Sequence, residues 1–259
     1  MIVGFVKNLT SQNLDLLFSK CNKKANYHSF YDRKKSVKSI LEFMVSFAPP
    51  FDLYHNLPMN QTPEKRKELL KKVRDEVVAL KSSPLYKFRV ENKNLPVIGE
   101  GSHFAKIMFI GEAPGKNEAM TGRPFCGRSG QILDELLLSV GIKREDVYVT
   151  NIVKDRPPAN RDPLPNEIEI YGPFLDRQIE IIQPKVLATL GRYSMSYIMP
   201  KFDLEFEMEP ISQAHGKSYE AQASYGPVKI IPFYHPAVAV YNSHTKDTLK
   251  KDFEILKTT

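Results

Sequence analysis

The sequence predicts an α/β fold: a three-layer α/β/α sandwich around a central four-stranded parallel sheet, plus a mostly helical N-terminal extension. From Val97 onward, short apolar runs alternate with segments in which apolar residues recur at helical spacing. The run Ile107–Ile110 is apolar at every position, which is typical of a strand covered on both faces. Strands that alternate with helices in this way build a parallel sheet between two helical layers.

The predicted elements follow one another from residue 62 onward. A helix is predicted from Pro63 to Leu80, because Thr62 supplies a capping hydroxyl and proline suits the first helical position. The predicted strands are Phe104–Ile110, Val147–Ile152, Val186–Leu190 and Val228–Tyr234. The predicted helices between and after the strands are Gln131–Val140, Pro165–Ile182, Arg192–Ile198 and Thr245–Leu256.

Residues 1–61 differ in composition from the rest of the chain. They are rich in Lys, Asn, Ser and Tyr, and apolar residues near Leu14–Leu17 and Ile40–Met44 predict two short amphipathic helices. The sequence assigns no function to this segment. We therefore divide the chain into an N-terminal extension, residues 1–61, and a main domain, residues 62–259.

The composition limits which kinds of binding partner and which cellular location are expected for the protein. The chain carries 37 Lys and Arg against 30 Asp and Glu, a net charge of +7, which favours a polyanionic partner such as nucleic acid. A generally basic proteome explains an excess of this size equally well. Cys21 and Cys126 do not suffice for a disulfide framework or, alone, for a structural metal site. With no long apolar run and no signal-peptide pattern, we expect a cytoplasmic protein.

Three polar residues lie where predicted strands end. Glu112, Asn151 and His235 are expected on one rim, because ligands of open α/β sheets bind at the carboxyl ends of the strands. Singly, each has an ordinary structural explanation: Glu112 lies in a common Gly-Pro turn, Asn151 suits a loop cap, and a lone histidine is usually structural. The turn GEAPG matches neither the dinucleotide fingerprint nor the P-loop. The convergence of the three residues is therefore the stronger signal.

The loop after the first predicted strand holds further candidates. Phe125 is a lone aromatic in a polar loop, either a stacking platform or a side chain that packs into the core. Glu118 is either a second carboxylate of the site or a surface residue. Gly127-Arg128-Ser129-Gly130 opens a helix, where backbone amides can bind a phosphate.

Longer segments of the chain resemble one protein family. They are, in order, GEAPGKNE, TGRPFCGRSGQILDELL, YVTNIVKDRPPANRDPLPNEIE, FLDRQIEIIQPKVLATLGRYS, ISQAHGK and YHPAVAVYN. Together they closely resemble uracil-DNA glycosylases of family 4, from about Pro63 to the C-terminus. The resemblance implies an enzyme that removes uracil from DNA by cleaving the N-glycosidic bond, leaving an abasic site. Such enzymes flip the base into a pocket, because it is out of reach inside a duplex.

The resemblance also implies roles for residues of the reaction. Glu112 orients or activates the attacking water and stabilises the cationic sugar. His235 donates to uracil O2 and stabilises the departing uracil anion, as an oxyanion donor does. Ala113 occupies the position at which some other families have a catalytic Asp.

Other residues are implied to recognise the base and the DNA. Glu118 borders the pocket and helps to reject the methyl group of thymine, Phe125 stacks on uracil, and Asn151 bonds its O4 and N3 edge. The residues implied to hold the DNA strand are Gly127, Arg128, Ser129, Gly130, Lys217, Pro236, Ala237, Val238 and Val240. Of these, Val238 or Val240 fills the space that the flipped base leaves.

One departure from the family concerns a cofactor. Family 4 usually binds an iron–sulfur cluster through four cysteines, and the matching positions here are Leu80, Ser83, Asp155 and Tyr171. Cys21 and Cys126 lie elsewhere and cannot replace four thiolates. We therefore expect no cofactor and no metal, with packing around Leu80 and Tyr171 and a hydrogen bond of Asp155 holding this region together.

The expected partner is uracil-containing DNA, single- or double-stranded, bound by a monomer without membrane contact. Three alternatives stay open on sequence alone: a non-catalytic DNA-binding protein on the same fold, a variant that traps DNA covalently, and an unrelated nucleotide-binding protein. Covalent trapping is associated with an inserted basic loop, which the segment between Gly111 and Arg123 does not contain.

Overall fold

The computed structural model describes residues 62–240 and 242–258. The predicted N-terminal extension, with its two short helices, lies outside the described residues, and the boundary at residue 62 stays a prediction. Within the described ranges, no helix combines the length and apolar character needed to cross a membrane.

A mixed sheet of six strands lies at the centre of the described domain. Its strands are β1 (Glu100–Gly101), β2 (Ile107–Gly111), β3 (Tyr148–Asn151), β4 (Val186–Leu190), β5 (Tyr219–Ala223) and β6 (Gly226–Phe233). The spatial order is β1-β3-β2-β4-β6-β5, and β3, β2, β4 and β6 run parallel. The predicted parallel sheet is thereby confirmed as the central part of a larger sheet.

The two edge strands extend the predicted sheet of four strands to six. β1 pairs antiparallel with β3 over only Glu100 and Gly101. β5 pairs antiparallel with β6, and its residues 220–222 are exposed or only partly buried. Short or solvent-facing strands lack the continuous apolar run on which the sequence prediction depends.

Helices cover both faces of the sheet. They are α1 (Pro63–Val78), α2 (Tyr86–Glu91), α3 (Lys116–Thr121), α4 (Arg128–Ser139), α5 (Pro165–Ile182), α6 (Arg192–Ile198), α7 (Ile211–Ala214) and α8 (Ser243–Phe253). The bounds of α5 and α6 agree with the prediction. Helix α4 begins at Arg128 instead of Gln131, because its polar first turn carries no apolar signal. Helices α2, α3 and α7 are too short to produce a helical period in the sequence.

Buried side chains form separate clusters on the two faces of the sheet. Along β2, Met108 and Ile110 belong to the cluster that contains residues of α1, α5 and α6. Ile107 and Phe109 belong to the cluster that contains residues of α4 and α8. Because successive side chains of a strand point to opposite faces, this division confirms the three-layer arrangement.

Arg66 is a buried cation that joins α1 to the end of α5. Only 6% of its surface is exposed, and Nη1 donates to the carbonyl oxygens of His103 at 2.8 Å and Ile182 at 2.7 Å. Nη2 donates to Gln183 Oε1 at 3.4 Å, and the guanidinium lies 4.3 Å from the centre of the Phe104 ring. Since a helix leaves its last carbonyl groups unpaired, Arg66 supplies one of the donors that α5 lacks.

We expect Arg66→Met to lower the free energy of unfolding by about 2–3 kcal/mol, because a buried carbonyl group loses its charged donor. Equilibrium unfolding of the full chain in urea measures the change. The matched control is Arg74→Met, at an exposed site of the same helix, which should cost less than about 0.5 kcal/mol. Equal stability of Arg66→Met and wild type would contradict this role of Arg66.

Candidate active site

A cleft of about 320 Å³ opens at the carboxyl ends of β2 and β3. This volume is near the lower end of the range of about 300–1,000 Å³ that is usual for small-molecule pockets. The lining comes from the turn after β2, from α3 and α4, from the end of β3 with the loop after it, and from the segment after β6. The lining residues are Glu112, Ala113, Pro114, Gly115, Glu118, Phe125, Ser129, Asn151, Pro157, Asn160, Arg161, Asp162, His235 and Ala237.

The cleft brings together most of the candidates that the sequence predicts. Glu112, Asn151 and His235, expected on one rim, all line it. The other predicted residues in the lining are Ala113, Glu118, Phe125, Ser129 and Ala237. Their roles stay predictions, but their common location is a feature of the structure.

Gly111 allows Asn151 and Phe125 to approach each other closely. The parallel register of β2 and β3 sets Gly111 opposite Asn151. A Cβ atom at residue 111 would lie 2.3 Å from Asn151 Oδ1 and 2.8 Å from the Phe125 ring, so a larger residue does not fit. Phe125 is only 6% exposed, and its ring centroid lies 5.5 Å from that of His235. The aromatic ring is thus fixed between the end of β2 and His235.

Phe125 has a φ angle of 49°, a conformation that residues other than glycine rarely adopt. Gly130, in the first turn of α4, lies against the same residue: a Cβ atom there would be 1.8 Å from the Phe125 carbonyl oxygen. The close approach of the helix therefore requires glycine at residue 130 and supports the unusual backbone of Phe125.

The carboxylate of Glu118 binds the loop that carries Phe125. Glu118 is 8% exposed, and its Oε1 accepts from the amides of Cys126 at 3.1 Å and Gly127 at 3.0 Å. The Gly127 amide therefore has a partner within the protein, and the predicted contact of Gly127 with DNA stays a prediction. Glu118 thus both lines the cleft and fixes the entry to α4.

A buried lysine supports Asn151 from the side of the core. Lys154 Nζ donates to the Asn151 carbonyl oxygen at 2.7 Å, to Thr150 Oγ1 at 2.8 Å and to Gln178 Oε1 at 2.5 Å. Burial lowers the pKa of Lys154 well below its usual value. Within the described part of the chain, no hydrogen bond engages the side-chain amide of Asn151, which lines the cleft. Its donor and acceptor are available to a ligand.

Glu112 is a partly buried carboxylate with a perturbed pKa. Burial raises the pKa of Glu112 to about 7, the negative charge of Asp162 adds to the rise, and the Arg192 guanidinium opposes it. Arg192 Nη2 in turn donates to Asp162 Oδ2 at 3.0 Å, and the Tyr193 hydroxyl donates to the same oxygen at 2.5 Å. A carboxylate with a pKa near 7 in a cleft suits a general base.

His235 is held in one neutral form. Burial lowers the pKa of His235 to about 4, although the charge of Glu118 opposes the shift. The Ala237 amide donates to His235 Nδ1 at 3.1 Å, so Nδ1 is the acceptor nitrogen of the ring. In the neutral ring the proton is therefore on Nε2, which makes His235 an uncharged hydrogen-bond donor.

The loop after β3 contributes cleft residues that the sequence analysis does not predict. Pro157, Asn160, Arg161 and Asp162 all line the cleft. Arg161 anchors this loop to α5 through two bonds to the Glu167 carboxylate, at 2.9 and 2.6 Å. In the sequence, only the position of this loop, directly after the carboxyl end of a strand, could have indicated that its residues line the cleft.

Other residues predicted to contact DNA lie outside the cleft lining. They are Gly127, Arg128, Gly130, Lys217, Pro236, Val238 and Val240. Val238 is 47% exposed in the short turn after His235, whereas Pro236 is buried. Lys217 is exposed and pairs with Glu209. Their contacts with DNA stay predictions.

A family model matches residues 98–257, and it describes the uracil DNA glycosylase superfamily. The chain belongs to this superfamily. The type-4 uracil-DNA glycosylase of Sulfurisphaera tokodaii is 43% identical over 189 residues, which cover 73% of this chain and 83% of that protein. The enzyme of the same name from Archaeoglobus fulgidus is 43% identical, covering 69% and 87%. That from Saccharolobus solfataricus is 45% identical, covering 71% and 83%.

In this uracil-DNA glycosylase superfamily member, we expect His235 to stay uncharged down to about pH 4, with Nδ1 unprotonated and Nε2 protonated. Nitrogen NMR of selectively labelled histidine distinguishes the two tautomers and follows the protonation. The His235→Gln spectrum assigns the signal. A midpoint near the usual value of about 6.5, or a proton on Nδ1, would contradict the assignment.

Proposed function

We propose that this protein excises uracil from DNA by hydrolysing the N-glycosidic bond, leaving an abasic site. The observation that carries the proposal is a single cleft containing a carboxylate of raised pKa, an unengaged amide and a neutral histidine donor. Membership of the uracil DNA glycosylase superfamily, and relatives named as type-4 uracil-DNA glycosylases, support it.

Asn151 and Phe125 provide the means to recognise the base. The Asn151 amide offers one acceptor and two donors, which match the N3–H and O4 of uracil. The Phe125 ring supplies an apolar face for stacking, and Glu118 limits the room for a methyl group at C5. A cleft of about 320 Å³ has room for one flipped base.

His235 and Glu112 act on different parts of the reaction: His235 on the leaving uracil, and Glu112 on the attacking water and the sugar. As the bond from C1′ to N1 breaks, its electron pair passes to uracil, and the Nε2–H of His235 donates to the developing charge on O2. The Glu112 carboxylate orients water toward C1′ and stabilises the positive charge on the sugar. The water oxygen then bonds to C1′, and its proton passes to Glu112 or to solvent.

The surface around the cleft is proposed to hold the DNA strand, single- or double-stranded, against a monomeric enzyme. The exposed Val238, three residues beyond His235, suits insertion into the space that the flipped base leaves. Arg128, Ser129 and Gly130 at the start of α4 are proposed to meet a backbone phosphate. The net charge of +7 favours the encounter with a polyanion.

An excision assay tests the proposed function. Wild type should convert a uracil-containing oligonucleotide into an alkali-labile product and leave the thymine version intact. Glu112→Gln, which keeps the shape of the side chain but cannot ionise, should be slower by about 10²-fold or more, the range typical of general base catalysis. The control Glu220→Gln changes an exposed residue of β5 and should match wild type. A folded wild-type protein that binds DNA but releases no uracil would leave only the non-catalytic DNA-binding alternative.

The pH dependence of excision should follow the ionisation of Glu112. With a pKa of about 7, the ionised fraction falls as pH decreases. The logarithm of kcat/KM should therefore rise with a slope of about one up to pH ~7 and then level off, reporting the free enzyme. Single-turnover rates at subsaturating enzyme concentrations, which are proportional to kcat/KM, measure the profile across neutral pH. In Glu112→Gln, the rise of kcat/KM with pH should disappear. If the rise persists in this variant, it reports the ionisation of another group.

A further inference from the structure

Asp155 is a fully buried carboxylate at the start of the loop that lines the cleft. Its oxygens accept from Arg89 Nη1 at 3.1 and 3.2 Å, and the side chains of the pair are 0% and 6% exposed. The same guanidinium donates to the carbonyl oxygens of Val77 at 3.0 Å and Val78 at 2.6 Å. Asp155 is thereby connected through Arg89 to the last turn of α1.

A directional chain of hydrogen bonds reaches Asp155 from the other side. The Tyr171 hydroxyl donates to Asp155 Oδ2 at 2.5 Å. The single hydroxyl proton of Tyr171 is then in use, so at 2.7 Å the Ser83 hydroxyl must donate to Tyr171. Ser83 Oγ itself accepts from the Leu85 amide at 3.0 Å. We call Asp155, Arg89, Tyr171 and Ser83 the Asp155 network.

The residues at the four expected cysteine positions do not fit an iron–sulfur cluster. Leu80 offers no donor atom and packs, partly buried, against the apolar cluster of Val77, Leu85, Val153 and Tyr171. Ser83, Asp155 and Tyr171 are buried and hydrogen-bonded to one another, with no thiolate among them. In the described part of the chain, no group of three or more His, Cys, Asp or Glu residues is arranged to hold a metal.

We infer that the Asp155 network replaces the iron–sulfur cluster and positions the cleft loop, residues 155–164, against the active site. Three of its four members occupy cysteine positions, and it joins the segments that such a cluster would join. It links the end of α1, the segment before α2, the start of the cleft loop and α5. Asp155 is accordingly a positioning residue.

The cleft loop needs anchors at both ends. Its far end is held by Arg161 on Glu167 and by Asp162 on Arg192. Between the anchors, Ala159 and Asn160 have φ angles of 55° and 54°, which residues other than glycine rarely adopt. The Asp155 network supplies the near anchor, two residues before Pro157 enters the cleft lining. Without it, residues 157–162 lose their fixed distance from Glu112.

The test compares two tyrosine hydroxyls. Tyr171→Phe removes the bond to Asp155 and keeps the ring in the apolar cluster. Tyr197→Phe, the matched control, removes a hydroxyl that bonds Asp176 at 3.0 Å between α6 and α5, and neither residue lines the cleft. At a temperature where both proteins are fully folded, we expect Tyr171→Phe to speed hydrogen exchange of cleft-loop amides by about tenfold and Tyr197→Phe to leave it unchanged. Asp155→Asn should have the larger effect.

Excision provides the second readout, and this part of the inference rests on the proposed function. Tyr171→Phe should lower the single-turnover excision rate by about tenfold, whereas Tyr197→Phe should keep it. Faster loop exchange with unchanged excision would overturn the positioning role. If wild type excises no uracil, the proposed function fails, and the exchange comparison still decides whether the network anchors the loop.

Iron analysis tests the replacement directly. Full-length protein expressed with added iron and purified without oxygen should contain no stoichiometric iron or acid-labile sulfide and no iron–sulfur charge-transfer absorbance. Stoichiometric iron and sulfide in the wild type would overturn the inference. Equal loop exchange in Tyr171→Phe and Tyr197→Phe would overturn it as well.

Discussion

Parallel pairing of β2 with β3 is the constraint on which the rest of the active site depends. The register sets Gly111 opposite Asn151 and ends both strands at the same edge of the sheet. Glu112, the residue after β2, is therefore a neighbour of the side chain that ends β3. A shift of the register by one residue would turn Asn151 to the opposite face, since side chains alternate along a strand. Glycine at residue 111 then allows the Phe125 ring to reach the same point.

Burial at this edge disfavours the charged forms of both Glu112 and His235. Because one side chain is an acid and the other a base, burial raises the pKa of Glu112 to about 7 and lowers that of His235 to about 4. At neutral pH, His235 is thus an uncharged donor, while Glu112 is divided between its two forms. Asp162 raises the pKa of Glu112, so the loop after β3 takes part in the electrostatics of the cleft as well as in its shape.

The sequence predicted those features that depend on local patterns. Strand β4 and helix α5 were predicted residue for residue, because a mostly apolar run and a proline at the first helical position are local signals. The rim of Glu112, Asn151 and His235 followed from strand–helix alternation alone. The strand β5 was missed, because exposed residues interrupt its apolar pattern.

Other features depend on distances in space, which no short pattern encodes. Asp162 acts on Glu112 only because the cleft loop folds back over the end of β3. Lysine is rarely fully buried, and no local pattern marks Lys154 as an exception, yet it is buried behind Asn151. The Asp155 network shows the same limit: its members are up to 88 residues apart, and only the fold makes them partners. Such a network is costly to break at any member, because removing Asp155 or Arg89 leaves a buried charge unpaired and removing a hydroxyl leaves a buried polar group with one hydrogen bond fewer. Ser83, Asp155 and Tyr171 therefore act as one unit with Arg89, and the apolar cover of Leu80 and Leu85 keeps water from competing for their bonds.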